Sequence, residues 1–344
     1  MQTNSTNYTK HFISLGVLLV LCWFLNLSLG SVNIPFADVF KSLTGGIASK
    51  ESWQTIILNY RLPKTITAIL VGSGLSISGL LMQTLFRNPL AGPFVLGISS
   101  GASLGVALFI LGTGWIGAFT ALSILNNWAI VIASSIGAFL VLSAVMLTAN
   151  RIRNTMSILI IGLMFGSLTS AVISILSYFS SAEQIQQYQF WTFGSLGNLS
   201  WNELYVFLFV FLIGLIATFS IIKPLNSFLL GENYAKSLGI NIKKSKNIIL
   251  LITCLLTGVI TAFVGPIAFI GLAVPHITKL IFNTSNHKIL LPASAILGGI
   301  IMLICDVFAQ LPNSEFTLPI NAVTSLFGAP VVIWLLVRKK KIYI

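Results

Sequence analysis

Apolar runs of roughly twenty residues, cut by short polar breaks, recur along this sequence and limit what it can fold into. About that many residues take a helix across the hydrocarbon core of a bilayer. The stretch from Arg61 to Gly105 shows the pattern most sharply. Apolar segments at about 64–85 and 94–112 flank Arg87-Asn88-Pro89-Leu90-Ala91-Gly92-Pro93. Two prolines and a glycine in that break forbid one straight helix. Small residues are frequent in both arms. Gly97, Gly101 and Gly105 stand four apart on one helical face, as do Gly74 and Ser78. Lipid supplies no hydrophobic drive between helices, so such faces gain by letting backbones approach closely.

Read along the chain, the pattern predicts ten spans, at about 12–30, 64–85, 94–112, 128–149, 155–179, 203–222, 247–264, 266–283, 289–308 and 322–337. The fold class is therefore an all-α polytopic membrane protein. A cleaved signal peptide is the competing reading of the first run, whose length favours a retained helix. Residues 31–60 read as a polar loop. Gly265-Pro266 and Gly271 to Pro275 interrupt an otherwise continuous apolar stretch, as broken helices do where backbone is buried in protein or lines a cavity. Only 8% of residues are charged, against about 25% in soluble domains. Cys22, Cys254 and Cys305 lie inside apolar runs without metal-type spacing and read as small core residues.

The net charge of +12 does not indicate nucleic acid, because no basic stretch carries interleaved aromatics. It reports topology instead. With the first terminus inside, fifteen of the nineteen basic residues fall in cytoplasmic loops and only Lys41, Lys50, Arg61 and Lys64 fall outside. The positive-inside rule thus predicts both termini in the cytoplasm.

One inside loop stands apart. Residues 223–246, KPLNSFLLGENYAKSLGINIKKSK, are too polar to span and too patterned for a linker. They read as two short helices joined at Gly231, either an interfacial segment held by anionic lipid or a platform for a cytoplasmic partner. Gly231 to Ser237 comes near a phosphate-binding loop, but it is one residue short, Ala235 replaces its second glycine and no strand precedes it, so nucleotide binding by this chain is rejected. The spans themselves are almost free of ionisable groups, which normally mark ion and proton paths. Asp306, Lys279 and His276 are the exceptions. No catalytic triad or paired acids are visible. Energy for any transport would then arrive from a partner through the cytoplasmic platform.

Several long motifs occur in order: RLPK at 61–64, SGLLMQTLFRNPLAGPFVLGISSGA at 78–102, WTFGSL at 191–196, LLGENYAKSLG at 229–239, GPIAFIGLAVPHITKL at 265–280, HKILLP at 287–292 and FGAPVVIWLL at 327–336. In these the chain resembles the permease subunit of iron-siderophore, haem and cobalamin ABC importers, the FecCD family. The resemblance covers essentially everything after residue 50. It implies a single transmembrane permease domain over 1–344, working as a homodimer in the inner membrane. Two ATPase subunits, which carry ATP and Mg, dock beneath, and an extracytoplasmic substrate-binding protein docks outside. The permease itself is not an enzyme and binds no cofactor or metal.

By the same resemblance, 223–246 is the ATPase-docking loop, with Leu229, Gly231, Glu232, Ala235, Leu238 and Gly239 at the contact. Arg61 and Lys64 meet the binding protein. Lysine at 64 keeps the charge but loses the planar fork of arginine, and Gln310 stands where the family has a further arginine after Asp306. Asn88 and Leu90, opposed by Thr155 and Met156, form the cytoplasmic gate. Gly97, Gly101, Gly105, Gly162 and Gly166 serve helix packing or a smooth pathway wall. The alternative is an ion- or proton-coupled secondary transporter with Asp306 as its coupling residue, and a membrane-embedded enzyme is a distant third.

Overall fold

The computed structural model describes residues 5–112, 126–149, 155–312, 314 and 316–337, and among these it contains helices and no strands. Seven helical stretches are long and apolar enough to cross a membrane, and Ile98–Ile110, Ile270–Phe282 and Ile320–Trp334 are shorter apolar helices. The chain falls into two compact units. The first takes residues 1–80, 195–209 and 268–343, and the second takes 81–194 and 210–267.

In the first unit, α1 (Ser5–Ser28) lies against α14 (His287–Ala309), and α14 against α13 (Ile270–Phe282) and α15 (Ile320–Val337). Through their middle runs the first part of α4 (Leu62–Phe86), buried almost throughout. Its neighbours touch it backbone to backbone. A methyl group on Gly72 would overlap the Gly298 carbonyl of α14, and one on Gly79 would overlap the Gly271 carbonyl of α13. Ser73 Oγ adds a hydrogen bond to the Ala295 carbonyl at 2.8 Å. The expected interruption at Gly271–Pro275 does not occur, because α13 continues through Pro275. Proline lacks the N–H that would bond the Gly271 carbonyl, and that carbonyl is the one Gly79 approaches.

Residues 31–60 also depart from expectation. They hold α2 (Phe36–Leu43) and α3 (Glu51–Thr55), and a π-helical turn at Ile56–Arg61 joins α3 to α4. Leu27, Ile34, Val39 and Ile57 make a small core there, covered by Trp23, Phe24 and Trp53. The polar residues that suggested a loop include Asp38, which accepts hydrogen bonds from the Ser49 N–H at 2.9 Å and hydroxyl at 2.8 Å.

In the second unit, α5 (Ile98–Ile110) lies along α6 (Asn126–Ala149), which also meets α12 (Ile242–Val264). The α5–α6 crossing is another glycine contact: a Cβ on Gly101 would stand 2.6 Å from the Gly137 carbonyl, and one on Gly105 would overlap that of Ala133. Gly97 sits ahead of α5 with φ 74, a left-handed conformation that favours glycine, so it caps the helix rather than extending its face. On α7 (Thr155–Tyr178), Gly162 faces the Val95 carbonyl.

A helix not anticipated from the sequence, α8 (Ala182–Phe193), follows α7. Ser181 and Gln184 close a capping box at its start, and Gln184 Nε2 donates to the Ile110 carbonyl. α9 (Trp201–Ser220) begins in the first unit and ends in the second. The expected pair of short helices is present as α10 (Ile222–Leu229) and α11 (Glu232–Ser237), with Gly231 between them at φ 118. α12 ends at Gly265 with φ 83, as its Gly-Pro sequence anticipates.

Replacing Gly79 with valine should cost more than the roughly 1–3 kcal/mol usual for overpacking, since a backbone carbonyl and not a flexible side chain must yield. Gly16→Val, with open space around its Cα, should be close to neutral. Thermal unfolding of the two variants in detergent checks this, with a large fall in melting temperature expected for the first alone.

Candidate functional site

The predicted site residues fall largely in two polar constellations among the described residues. The first centres on Asp306, near the end of α14 and only 2% exposed. Lys64 Nζ on α4 pairs with its Oδ1 at 3.0 Å. Oδ2 accepts from Asn26 Nδ2 at 2.9 Å and from Gln310 Nε2 at 2.7 Å. A buried carboxylate is tolerated only with such compensation. Gln310, one turn beyond Asp306, carries a donor that reaches back to the same carboxylate.

Arg61 lies beside this cluster but is spent differently. Its guanidinium donates to the Leu27 and Ser28 carbonyls at 2.7 and 2.8 Å and to the Val32 carbonyl. These groups lie at and just beyond the end of α1, where helix carbonyls lack partners and a cation is favourable. The side chain is buried, and Gly30 leaves room for it: a Cβ there would stand 2.7 Å from Nη2. Beside Arg61 opens a cavity of about 330 Å³ lined by Tyr60, Arg61, Lys64, Gln310, Ser314 and Thr317. The cavity is bounded by one lysine already paired and one arginine already bonded to the backbone.

The second constellation lies in the second unit, at the break after α4. Asn88 Oδ1 accepts from the Leu90 N–H at 2.9 Å, and the Asn88 carbonyl accepts from the Ala91 N–H at 3.0 Å. This is a side-chain-stabilised turn of the kind asparagine favours. Leu90 is exposed at its tip. Arg87, at the root of the turn, reaches α10 and donates from Nε and Nη2 to the Phe228 carbonyl at 2.9 and 2.6 Å. On α11, Glu232 pairs with Lys246 of α12 at 2.8 Å.

Of the predicted platform residues, Ala235 is fully buried beneath α11 and Leu229 is half-buried, while Glu232, Leu238 and Gly239 are exposed. Gly239 takes φ 77 after α11. The apolar surface this segment presents consists of Leu230, Tyr234 and Leu238, spaced four apart and 49–66% exposed. That spacing was legible. Which of its leucines face outward was not, because it depends on the turn at Gly231.

Thr155 and Met156 begin α7, and their side chains lie outside the described residues, as do Arg151, Arg153, Arg338 and Lys339 to Lys341. Gly97, Gly101, Gly105 and Gly162 meet neighbouring backbone in the second unit, and Gly166 has Ser100 Oγ 3.4 Å from where its Cβ would be.

The described residues thus make a helical chain with seven stretches long and apolar enough to cross a membrane and with polar clusters at its helix ends. The profile of the FecCD transport family matches residues 18–338. The chain belongs to that family and is a permease of the ABC-importer type. A Methanocaldococcus jannaschii protein classed as an ABC transporter permease is 34% identical over 341 residues, 97% of each chain. The vitamin B12 import system permease protein BtuC of Citrobacter koseri is 34% identical, covering 95% of this chain and 94% of its own. A solved ABC transporter assigned to the metal-chelate type, in an inward-facing conformation, superposes with a TM-score of 0.83 at 29% identity, covering 96% of this chain and all of that one.

Lys64→Met should strand the Asp306 carboxylate and cost about 3–5 kcal/mol, as breaking a buried pair does. Adding Asp306→Asn should recover most of that loss. Melting temperatures of the single and double variants test the coupling; equal losses would show that the pair does not hold α4 to α14.

Proposed function

We propose that this chain is the membrane-spanning permease of a binding-protein-dependent, ATP-driven importer for an iron chelate, haem or cobalamin. End-to-end similarity to a cobalamin permease, at 34% identity over 330 residues, carries this reading. The seven long and three shorter apolar helices would together make ten spans, with both termini in the cytoplasm of a cell whose inner membrane holds the protein. The whole chain would act as one permease domain, paired with a second copy, the path running between the two. ATP and Mg would belong to two copies of a separate ATPase.

The roles divide between the two constellations. The α10–α11 segment would be the ATPase platform. Leu230, Tyr234 and Leu238 would enter the partner, Glu232 would lie at the rim, and Leu229, Gly231, Ala235 and Gly239 would hold the segment's shape. Asn88 and Leu90, with Thr155 and Met156, would close the cytoplasmic end of the path. At the other face, the cavity beside Arg61 and Lys64 would receive acidic side chains of the binding protein. Arg61, whose guanidinium bonds neutral carbonyls, would provide the net charge there, and Lys64, offset by Asp306, would shape the cavity wall. Gly162, closed against the Val95 carbonyl, would serve helix packing, and Gly166 would leave the pathway wall free of protruding groups. The rival reading, a gradient-coupled transporter, needs a carboxylate free to exchange a proton or cation. Asp306 is held by Lys64, Asn26 and Gln310, which counts against it.

Co-expression with candidate ATPase subunits tests the assignment. The intact chain should co-purify with one of them. A variant with Leu230, Tyr234 and Leu238 replaced by serine should lose it while keeping its melting temperature. Uptake driven by an ion gradient with no ATPase present would overturn the reading.

A further inference from the structure

We propose that Arg87 is the strut that couples the α10–α11 platform to the Asn88–Leu90 turn, so that movement of one displaces the other. This rests on the permease reading above and adds to it the residue through which force passes.

The geometry is specific. Arg87 follows the last residue of α4 and takes φ 48, a left-handed conformation uncommon for a residue with a side chain. That backbone aims its guanidinium across 141 residues of sequence to α10. Both Nε and Nη2 converge on one carbonyl, that of Phe228, whose side chain is buried. The same carbonyl accepts from the Gly231 N–H at 3.2 Å. The guanidinium is thus fixed to the hinge between α10 and α11, in the last turn of a helix, where a cation is favourable. Gly231 leaves the approach open: a Cβ there would stand 3.2 Å from Nη2.

On the other side of Arg87 the chain is stiff. Its own N–H donates to the Thr84 carbonyl at 3.3 Å and that of Asn88 to the Gln83 carbonyl at 3.2 Å, ahead of the turn closed by the Asn88 side chain. A push on the hinge therefore reaches Asn88 through one side chain and one peptide bond. The second tie of the platform, Glu232 to Lys246, leads into α12, and the glutamate side chain is 45% exposed, where ion pairs are weak. Lysine could not replace Arg87 in full, because a point donor lacks the planar fork that holds two bonds in a fixed direction.

The test uses the complete complex of permease, ATPase and binding protein in proteoliposomes. Substrate moved and ATP hydrolysed are counted together for the wild type, Arg87→Lys, Arg87→Gln and Arg87→Ala. With the strut gone, the ATPase should stay bound and hydrolysis should continue. Substrate moved per ATP should fall about tenfold in the glutamine and alanine variants, within the usual range of coupling between sites, and less with lysine. An unchanged ratio in both would overturn the proposal. So would loss of ATPase binding in those variants, which would make Arg87 part of docking. A wild-type chain that binds no ATPase would instead bring down the permease reading itself.

Should the neutral variants fail to fold, Arg87→Lys still decides. Spin labels at the exposed positions 90 and 236 give a distance that the strut predicts to be narrow and to stay constant with and without ATP. The three native cysteines are buried and do not compete for label. Lysine at 87 should broaden that distance; a lysine variant with the wild-type distribution would contradict the strut.

Discussion

Close approach between helix backbones is the interaction on which this structure depends. Apolar side chains gain nothing by leaving lipid for one another, so helices in a bilayer associate through packed area and short polar bonds. Here the approach is made at glycine. Gly79 against Gly271, Gly72 against Gly298, and Gly101 against Gly137 each bring one helix's backbone to another's carbonyl. The first pair joins a glycine to a carbonyl that Pro275 leaves without its helical donor. A proline inside an apolar helix, usually a defect, here supplies the acceptor against which α4 is seated.

The charges of the two polar constellations follow a second rule, that each is met by a partner from another element. Asp306 takes Lys64, Asn26 and Gln310. Arg61 takes three carbonyls from the end of α1 and the turn after it, and Arg87 takes the Phe228 carbonyl. Two of these three cations thus bond backbone carbonyls at helix ends, where the regular bonds of the helix run out. The arginines act as fasteners between elements far apart in sequence, Arg61 to the end of α1 and Arg87 to α10.

Much of this was legible in the sequence. Each apolar run that falls within the described residues became a helix, because composition and length decide that question in a lipid environment. The helix pair at Gly231 was legible for the same reason that its break was, a glycine at positive φ between two short patterned segments. The polar region 31–60 was not. α2 and α3 are only a turn or two long, and their stability comes from Leu27, Ile34, Val39 and Ile57 meeting across the fold, which no local window contains. α8 escaped because its start is signalled by one capping box and its face is polar. Nor could sequence tell that Arg61 points inward or that Arg87 finds Phe228. A guanidinium near a helix end suits both an interface and a carbonyl, and only the tertiary position of the acceptor distinguishes them.

A permease of this kind moves its substrate with energy supplied by another chain. The most direct measurement is uptake of labelled cobalamin, haem and ferric chelates by vesicles containing the permease, its ATPase and its binding protein, under either ATP or an ion gradient alone. One of these substrates should accumulate in a way that requires ATP and survives collapse of the gradient. Accumulation that follows the gradient and ignores ATP would contradict it.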